Sequence, residues 1–156
     1  MGIILEVLQT KFITFETNMQ LTKFTDYSLR TLVYLGERPD KLVTIKEVSD
    51  YYGIVHSHLT KVVHLLSTSG YIHSVRGRNG GIRLAKPPQQ IPIGAIVRTT
   101  EESLFLVECF DPKKQTCRLL PACKLRKGLN AAYKAFFSVL DDTTLADVIG
   151  RHSLGQ

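Results

Sequence analysis

Between Thr25 and Leu84 three short helical patterns follow one another and lead into a turn between two apolar runs, an order that leaves few folds open. Thr25 is placed to cap a first helix with Leu29, Leu32, Val33 and Leu35 on one face, stopped by Pro39–Asp40. Thr44-Ile45-Lys46-Glu47 reads as a capping box, in which the threonine hydroxyl accepts from an early amide and the glutamate reaches back. The helix it opens runs to about Tyr52, where Gly53 supplies a stop. A third helix is expected over His56–Ser67, with Leu59, Val62, Val63 and Leu66 at helical spacing, closed by Ser69–Gly70. Tyr71–Val75 and Ile82–Leu84 then read as strands around an Asn79–Gly80 turn, since both residues tolerate positive φ. Three helices and a hairpin, in that order, predict a winged helix-turn-helix: mainly α with a small β-hairpin.

Beyond it, Pro87, Pro88 and Pro92 mark a boundary, and Ile93–Thr99 reads as a short helix. The segment from about Glu101 to Leu120 has no sustained period and reads as loop, with Glu101–Glu102 a helix-end or loop charge pair. A long helix is expected from about Pro121 to Leu140, with Leu125, Leu129, Tyr133, Phe136, Phe137 and Leu140 on one stripe. Thr143 or Thr144 caps a last turn through Val148. Residues 1–18 stand apart, weakly strand-like at Ile3–Val7 and Phe12–Phe15, and read as an extension ahead of a natural start at Met19. The expected organisation is thus an extension (1–18), a DNA-binding domain (19–90) and a cysteine loop with a long helix (91–156).

Charge is concentrated where that order would use it. The 156 residues carry a net +6, and residues 19–90 hold ten Lys/Arg against five Asp/Glu. A basic excess in a helix-turn-helix favours a polyanionic partner. The outer side of the third helix offers His56, Ser57, His58, Thr60 and Lys61, small or polar groups able to reach bases or phosphates in a major groove. The hairpin offers Arg76, Arg78, Asn79 and Arg83 among glycines that permit close approach to phosphates or a minor groove. Each feature alone reads equally well as a solvated surface; their order and the placement of the charge point to double-stranded DNA. His58 and His64 are six apart, poor geometry for shared metal ligation on a helix. No paired acid–base constellation, phosphate-binding glycine loop or partnered nucleophile is present, so the chain does not read as an enzyme.

All three cysteines, Cys109, Cys117 and Cys123, fall within fifteen positions. With no membrane span and no signal-peptide pattern at the start, a reduced cytoplasm is the expected compartment, and there clustered cysteines bind metal or do redox chemistry. Soft thiolates select iron–sulfur clusters, zinc or Cu(I), and gaps of seven and five residues lack the close pairs of a zinc knuckle. Lys113, Lys114, Arg118, Lys124 and Arg126 surround the sulfurs and would offset an anionic cluster. Three cysteines leave a fourth ligand to be found.

Met19-Gln20-Leu21-Thr22-Lys23-Phe24-Thr25-Asp26-Tyr27-Ser28-Leu29-Arg30, Val75-Arg76-Gly77-Arg78-Asn79-Gly80-Gly81-Ile82-Arg83-Leu84, the cysteine segment and Thr144-Leu145-Ala146-Asp147 together resemble the NsrR family of nitric-oxide-sensing transcriptional repressors, over about residues 19–150. The resemblance implies a homodimer with one iron–sulfur cluster, of two or four irons, per subunit. It matches Cys109, Cys117 and Cys123 to the cluster cysteines and Asp26 to a fourth ligand reaching across from the partner subunit. It makes the long helix the dimerisation helix, and the third helix and hairpin the groove-binding parts. It implies operator binding that depends on the cluster, nitric oxide as the signal, and control of nitrosative-stress genes. The alternative within the same fold is a sensor of cluster supply or of oxidants. The chain departs from the family where Val55 and His56 replace a capping serine and a basic residue, and in the long first cysteine gap. Arg126 stands where the related regulators of cluster assembly carry a ligand histidine.

Overall fold

The computed structural model describes residues 20–114, 116–120 and 122–150. The expected extension over 1–18, and Pro121 at the expected start of the long helix, lie outside them. The elements run α1 (Lys23–Gly36), α2 (Ile45–Tyr52), α3 (His56–Thr68), β1 (Ile72–Val75), β2 (Gly81–Leu84), α4 (Ile93–Thr100), α5 (Lys124–Asp142) and α6 (Leu145–Val148). The winged helix-turn-helix order is present, followed by a long helix.

The cap of α1 is Thr22, not Thr25. Thr22 has extended backbone, and its hydroxyl accepts from the Thr25 amide at 3.2 Å. Thr25 instead points inward and is fully buried. α1 ends at Gly36, ahead of the Pro39–Asp40 stop. α2 forms as its sequence predicts: the Thr44 hydroxyl accepts from the Glu47 amide, Glu47 accepts from the Thr44 amide at 2.7 Å, and Gly53 closes the helix in the left-handed conformation. Lys41 pairs with the other Glu47 oxygen. That ammonium, followed by the Thr44 amide, holds the Glu47 carboxyl down to about 2 against an ordinary 4.5. A carboxyl depressed on folding contributes stability above its ordinary value, and that contribution is lost as pH falls toward about 2. Glu47→Gln is therefore expected to flatten the fall in urea midpoint between neutral and acid pH. An unchanged pH profile in the variant would contradict this.

One core joins the elements. Leu32 and Leu35 of α1, Val48 of α2, Leu59, Val62 and Leu66 of α3, Ile72 and Ile82 of the hairpin, Ile96 of α4 and Leu145 of α6 are buried together. The apolar face predicted for α3 is thus the buried one, which leaves its polar residues outward. β1 and β2 pair antiparallel, with Ile72 opposite Leu84 and Val75 opposite Gly81. Val43 adds a bridge to Ile82, exchanging both backbone bonds at 3.0 and 2.8 Å and pinning the hairpin to the segment before α2. The turn closes when the Gly80 amide donates to the Gly77 carbonyl at 3.0 Å. The turn is centred on Arg78–Asn79, and of its two flanking glycines the positive φ falls on Gly77, at 114°, and not on Gly80.

A second, smaller cluster seats α5. Ile93 and Val97 of α4 pack against Phe137, the only described residue of α5 that is buried. Arg98 forks onto Asp141 at 2.5 and 2.7 Å and lies over the Phe137 ring at 4.1 Å. Backbone bonds from Ile93 to Thr143 and from Leu145 to Ile91, each 2.8 Å, tie the starts of α4 and α6 together. Thr144, one of the two expected caps, opens α6 in a capping box with Asp147.

Candidate nucleic-acid interface and cysteine site

Every residue expected at the DNA is on the surface. His56, Ser57, His58, Thr60 and Lys61 are exposed along α3, while Leu59 among them and Val62 and Val63 after them are buried. Arg76, Arg78 and Asn79 are exposed in the turn, and Arg83 on β2. Val55 occupies the N-cap of α3 and makes no side-chain cap bond, as the departure from a capping serine predicts. The first amides of α3 therefore keep free donors and a positive helix end facing outward, where a phosphate is a suitable acceptor. Two outward groups are already engaged. The Thr60 hydroxyl donates to the His56 carbonyl at 3.0 Å, so what it offers a base is its acceptor side. His58 stacks on Tyr27 of α1, ring centroids 6.2 Å apart and 22° between planes. The wing and α3 are coupled by a Ser67–Ser74 hydroxyl bond at 3.1 Å.

The cysteine segment runs from Glu101, the last-turn cap of α4, to Cys123, the N-cap of α5. Over its described residues it is irregular as expected, apart from a single 3-10 turn at Glu108–Phe110 that carries Cys109. All three thiols are free; Cys117 is exposed, and Cys109 and Cys123 are half-buried. The Cys123 sulfur accepts from the Arg126 amide at 3.4 Å, so a cysteine does the capping that a serine or aspartate does elsewhere. A sulfur held at the positive end of a helix is suited to carry negative charge. Cys123 lines a cleft of about 490 Å³ together with Leu104, Phe105, Phe110, Tyr133, Arg126, Lys127 and Asn130. A soft donor among apolar and basic side chains fits an anionic iron–sulfur group in its chemistry. Among the described residues, however, no three His, Cys, Asp or Glu side chains are gathered as a metal site, so this structure does not bring Cys109, Cys117 and Cys123 together as a ligand set.

Asp26 lies on the first turn of α1, with its carboxylate forked onto Arg30, both contacts at 2.9 Å. The pair raises the already high affinity of Arg30 for its proton. Sequence reasoning missed two further pairs. The Glu101 carboxylate accepts from both the amide and the hydroxyl of Thr22, at 2.8 and 3.1 Å. Behind it the Thr25 and Thr100 hydroxyls meet at 2.8 Å in the core. Asp26 and Arg30 are four apart and so legible as a helical pair; the Thr22–Glu101 and Thr25–Thr100 pairs join residues more than a domain's worth of helices apart and leave no local signal.

Three comparisons agree with this arrangement. A family model described as "Rrf2: Iron-dependent Transcriptional regulator" matches residues 21–151. An HTH-type transcriptional regulator NsrR of Shouchella clausii is 51% identical over 132 residues, covering 84% of this chain and 89% of that one. Among solved structures, the IscR of T. potens superposes with a TM-score of 0.66 at 25% identity, covering 84% of this chain and 86% of that one. CymR, the global cysteine regulator of B. subtilis, superposes with a TM-score of 0.69 at 25% identity over 83% of this chain and 95% of that one. An outward polar face on α3, a basic wing and a match over most of the sequence converge: the chain belongs to the Rrf2 family of transcriptional regulators.

Proposed function

We propose that the protein is a homodimeric repressor that holds double-stranded operator DNA while an iron–sulfur cluster is bound and releases it when nitric oxide reacts there. Cys109, Cys117 and Cys123 would hold one cluster of two or four irons per subunit, with the partner's Asp26 as fourth ligand. When bound, the cluster supplies the iron at which nitric oxide reacts. The observation that carries this reading is the position of Cys123. It caps α5, a helix of nineteen residues on whose described surface only Phe137 is buried, while Leu125 and Val139 stand 68% and 66% exposed. One residue thus joins the cysteine segment to an apolar face suited to a second copy. The identity to regulators named NsrR supports nitric oxide as the signal.

The chain's own residues divide the work. His56, Ser57, His58, Thr60 and Lys61 read the major groove; Arg76, Arg78, Asn79 and Arg83 hold phosphates or enter the minor groove. A dimer reads two half-sites only when its two α3 helices stand about 34–36 Å apart or a multiple of that. To ligate across the dimer with both oxygens free, Asp26 would give up its fork with Arg30. Residues 19–90 act as the DNA-binding domain and 91–156 as the sensing and dimerising part. No described helix is long and apolar enough to cross a membrane, and free thiols suit a reduced cytoplasm. We assign the chain no catalytic step.

The test exposes cluster-loaded protein on its operator separately to nitric oxide, oxygen and peroxide. Release with nitric oxide at the lowest dose is expected. Release governed by oxidants, or by cluster supply alone, would replace this reading with the oxidant- or supply-sensing one. Arg78→Ala is expected to weaken operator binding and to lower the log–log salt slope by about 0.9, the share of one phosphate contact. An unchanged slope removes Arg78 from the phosphate-binding set.

A further inference from the structure

We propose that Glu101 is a positioning residue: its carboxylate clasps the N-cap of α1, so that a change in the cysteine segment passes through α1 to the recognition helix of the same chain. The inference rests on the function proposed above and adds a route within one subunit to the tie between subunits. Glu101 is both the C-cap of α4 and the first residue of the cysteine segment. It reaches Thr22, the N-cap of α1, seventy-nine positions earlier in the chain, and takes two of its donors on one oxygen, Oε1. Thr22 in turn holds the Thr25 amide. Thr25 is fully buried and bonds Thr100, which donates to the Ile96 carbonyl at 2.9 Å. The start of α1 and the end of α4 are therefore joined twice, by the solvent-facing Glu101–Thr22 bonds and by the Thr25–Thr100 hydroxyls, which are buried and have no water to turn to.

Two residues beyond Thr25, Tyr27 lies against His58, one of the groups expected to read the groove. Between them Asp26 holds Arg30. One helix thus carries, in six positions, the clasp to the cysteine segment, the carboxylate proposed to cross the dimer, and the ring that braces the recognition helix. A displacement of Glu101 draws the cap of α1 with it, and the Tyr27 ring shifts against His58. Packing of α1 on α3 through the shared core makes that shift a movement of the whole element.

The variants Glu101→Ala, Glu101→Gln and Thr22→Val separate this role from a merely structural one. Each protein is prepared with and without cluster; iron and sulfide are quantified, operator affinity is measured in both states, and amide hydrogen exchange over the first turn of α1 is followed in the cluster-free protein. Glu101→Ala and Thr22→Val are each expected to retain cluster and to cut the loaded-to-empty affinity ratio by about two- to thirtyfold, the range of a residue that carries coupling. Exchange at the start of α1 quickens in both. Glu101→Gln retains the wild-type ratio and exchange, because an amide oxygen can replace Oε1. The clasp is overturned if both Glu101→Ala and Thr22→Val keep the wild-type ratio, or if Glu101→Gln loses it as Glu101→Ala does. A ratio of one in the unmodified protein overturns the proposed function itself, and is told apart because no variant is needed to see it.

Discussion

Cys123→Ser is expected to abolish cluster-dependent operator binding while leaving the fold intact. Serine is among the best N-cap residues, and its hydroxyl can take the Arg126 amide that the Cys123 sulfur now accepts at 3.4 Å. The start of α5 is thereby preserved, and what changes is the loss of a soft donor lining the cleft. Loss of mere outer-shell support costs a metal site about 10–100-fold in affinity, so loss of a ligand should cost at least that. Visible absorption and iron content after anaerobic reconstitution read the first effect; operator affinity, expected to fall to that of cluster-free wild type, reads the second. A Cys123→Ser protein that holds cluster as the wild type does would remove Cys123 from the ligand set.

Leu59→Ala is expected to have the largest effect on stability. Leu59 lies on the inner side of α3, fully buried, flanked in sequence by two outward residues expected at the DNA, His58 and Thr60. Truncating a buried leucine costs about 2–5 kcal/mol, transfer and cavity terms together. That is a large part of the roughly 5–15 kcal/mol by which a domain of this kind is stable. The denaturant midpoint should fall with little change in slope. Lys61→Ala, on the outer side of the same helix, is the contrast: stability within about 0.5 kcal/mol of wild type, with weakened and less salt-dependent operator binding. If Lys61→Ala destabilised as much as Leu59→Ala, the assignment of inner and outer faces would be wrong.

What the sequence made legible was whatever acts between near neighbours. The Thr44–Glu47 box and the Gly53 stop formed where the residues predict them because their partners lie within one or two turns, and the apolar side of α3 because its helical spacing is itself local. The first helix start was misread by one turn: Thr22 and Thr25 are both competent caps, and the choice was made by burial of Thr25 against Thr100, which no local pattern reveals. The hairpin was read correctly as a hairpin but its positive φ was put at Asn79–Gly80 when Gly77 carries it. In the candidate site the outward residues of α3 and the wing were legible from spacing and charge. The cap made by Cys123, the Glu101 clasp and the Arg98–Asp141 fork were not, since a cysteine is a rare cap and the two pairs join residues far apart in the chain.

In the proposed function, what the three thiols hold decides how well α3 and the wing hold DNA. The most direct measurement is the operator affinity of one anaerobic preparation before and after its cluster is removed, at a single salt concentration. Tight binding that is lost on removal and regained on reconstitution is the predicted result. Equal affinity in the two states would contradict it.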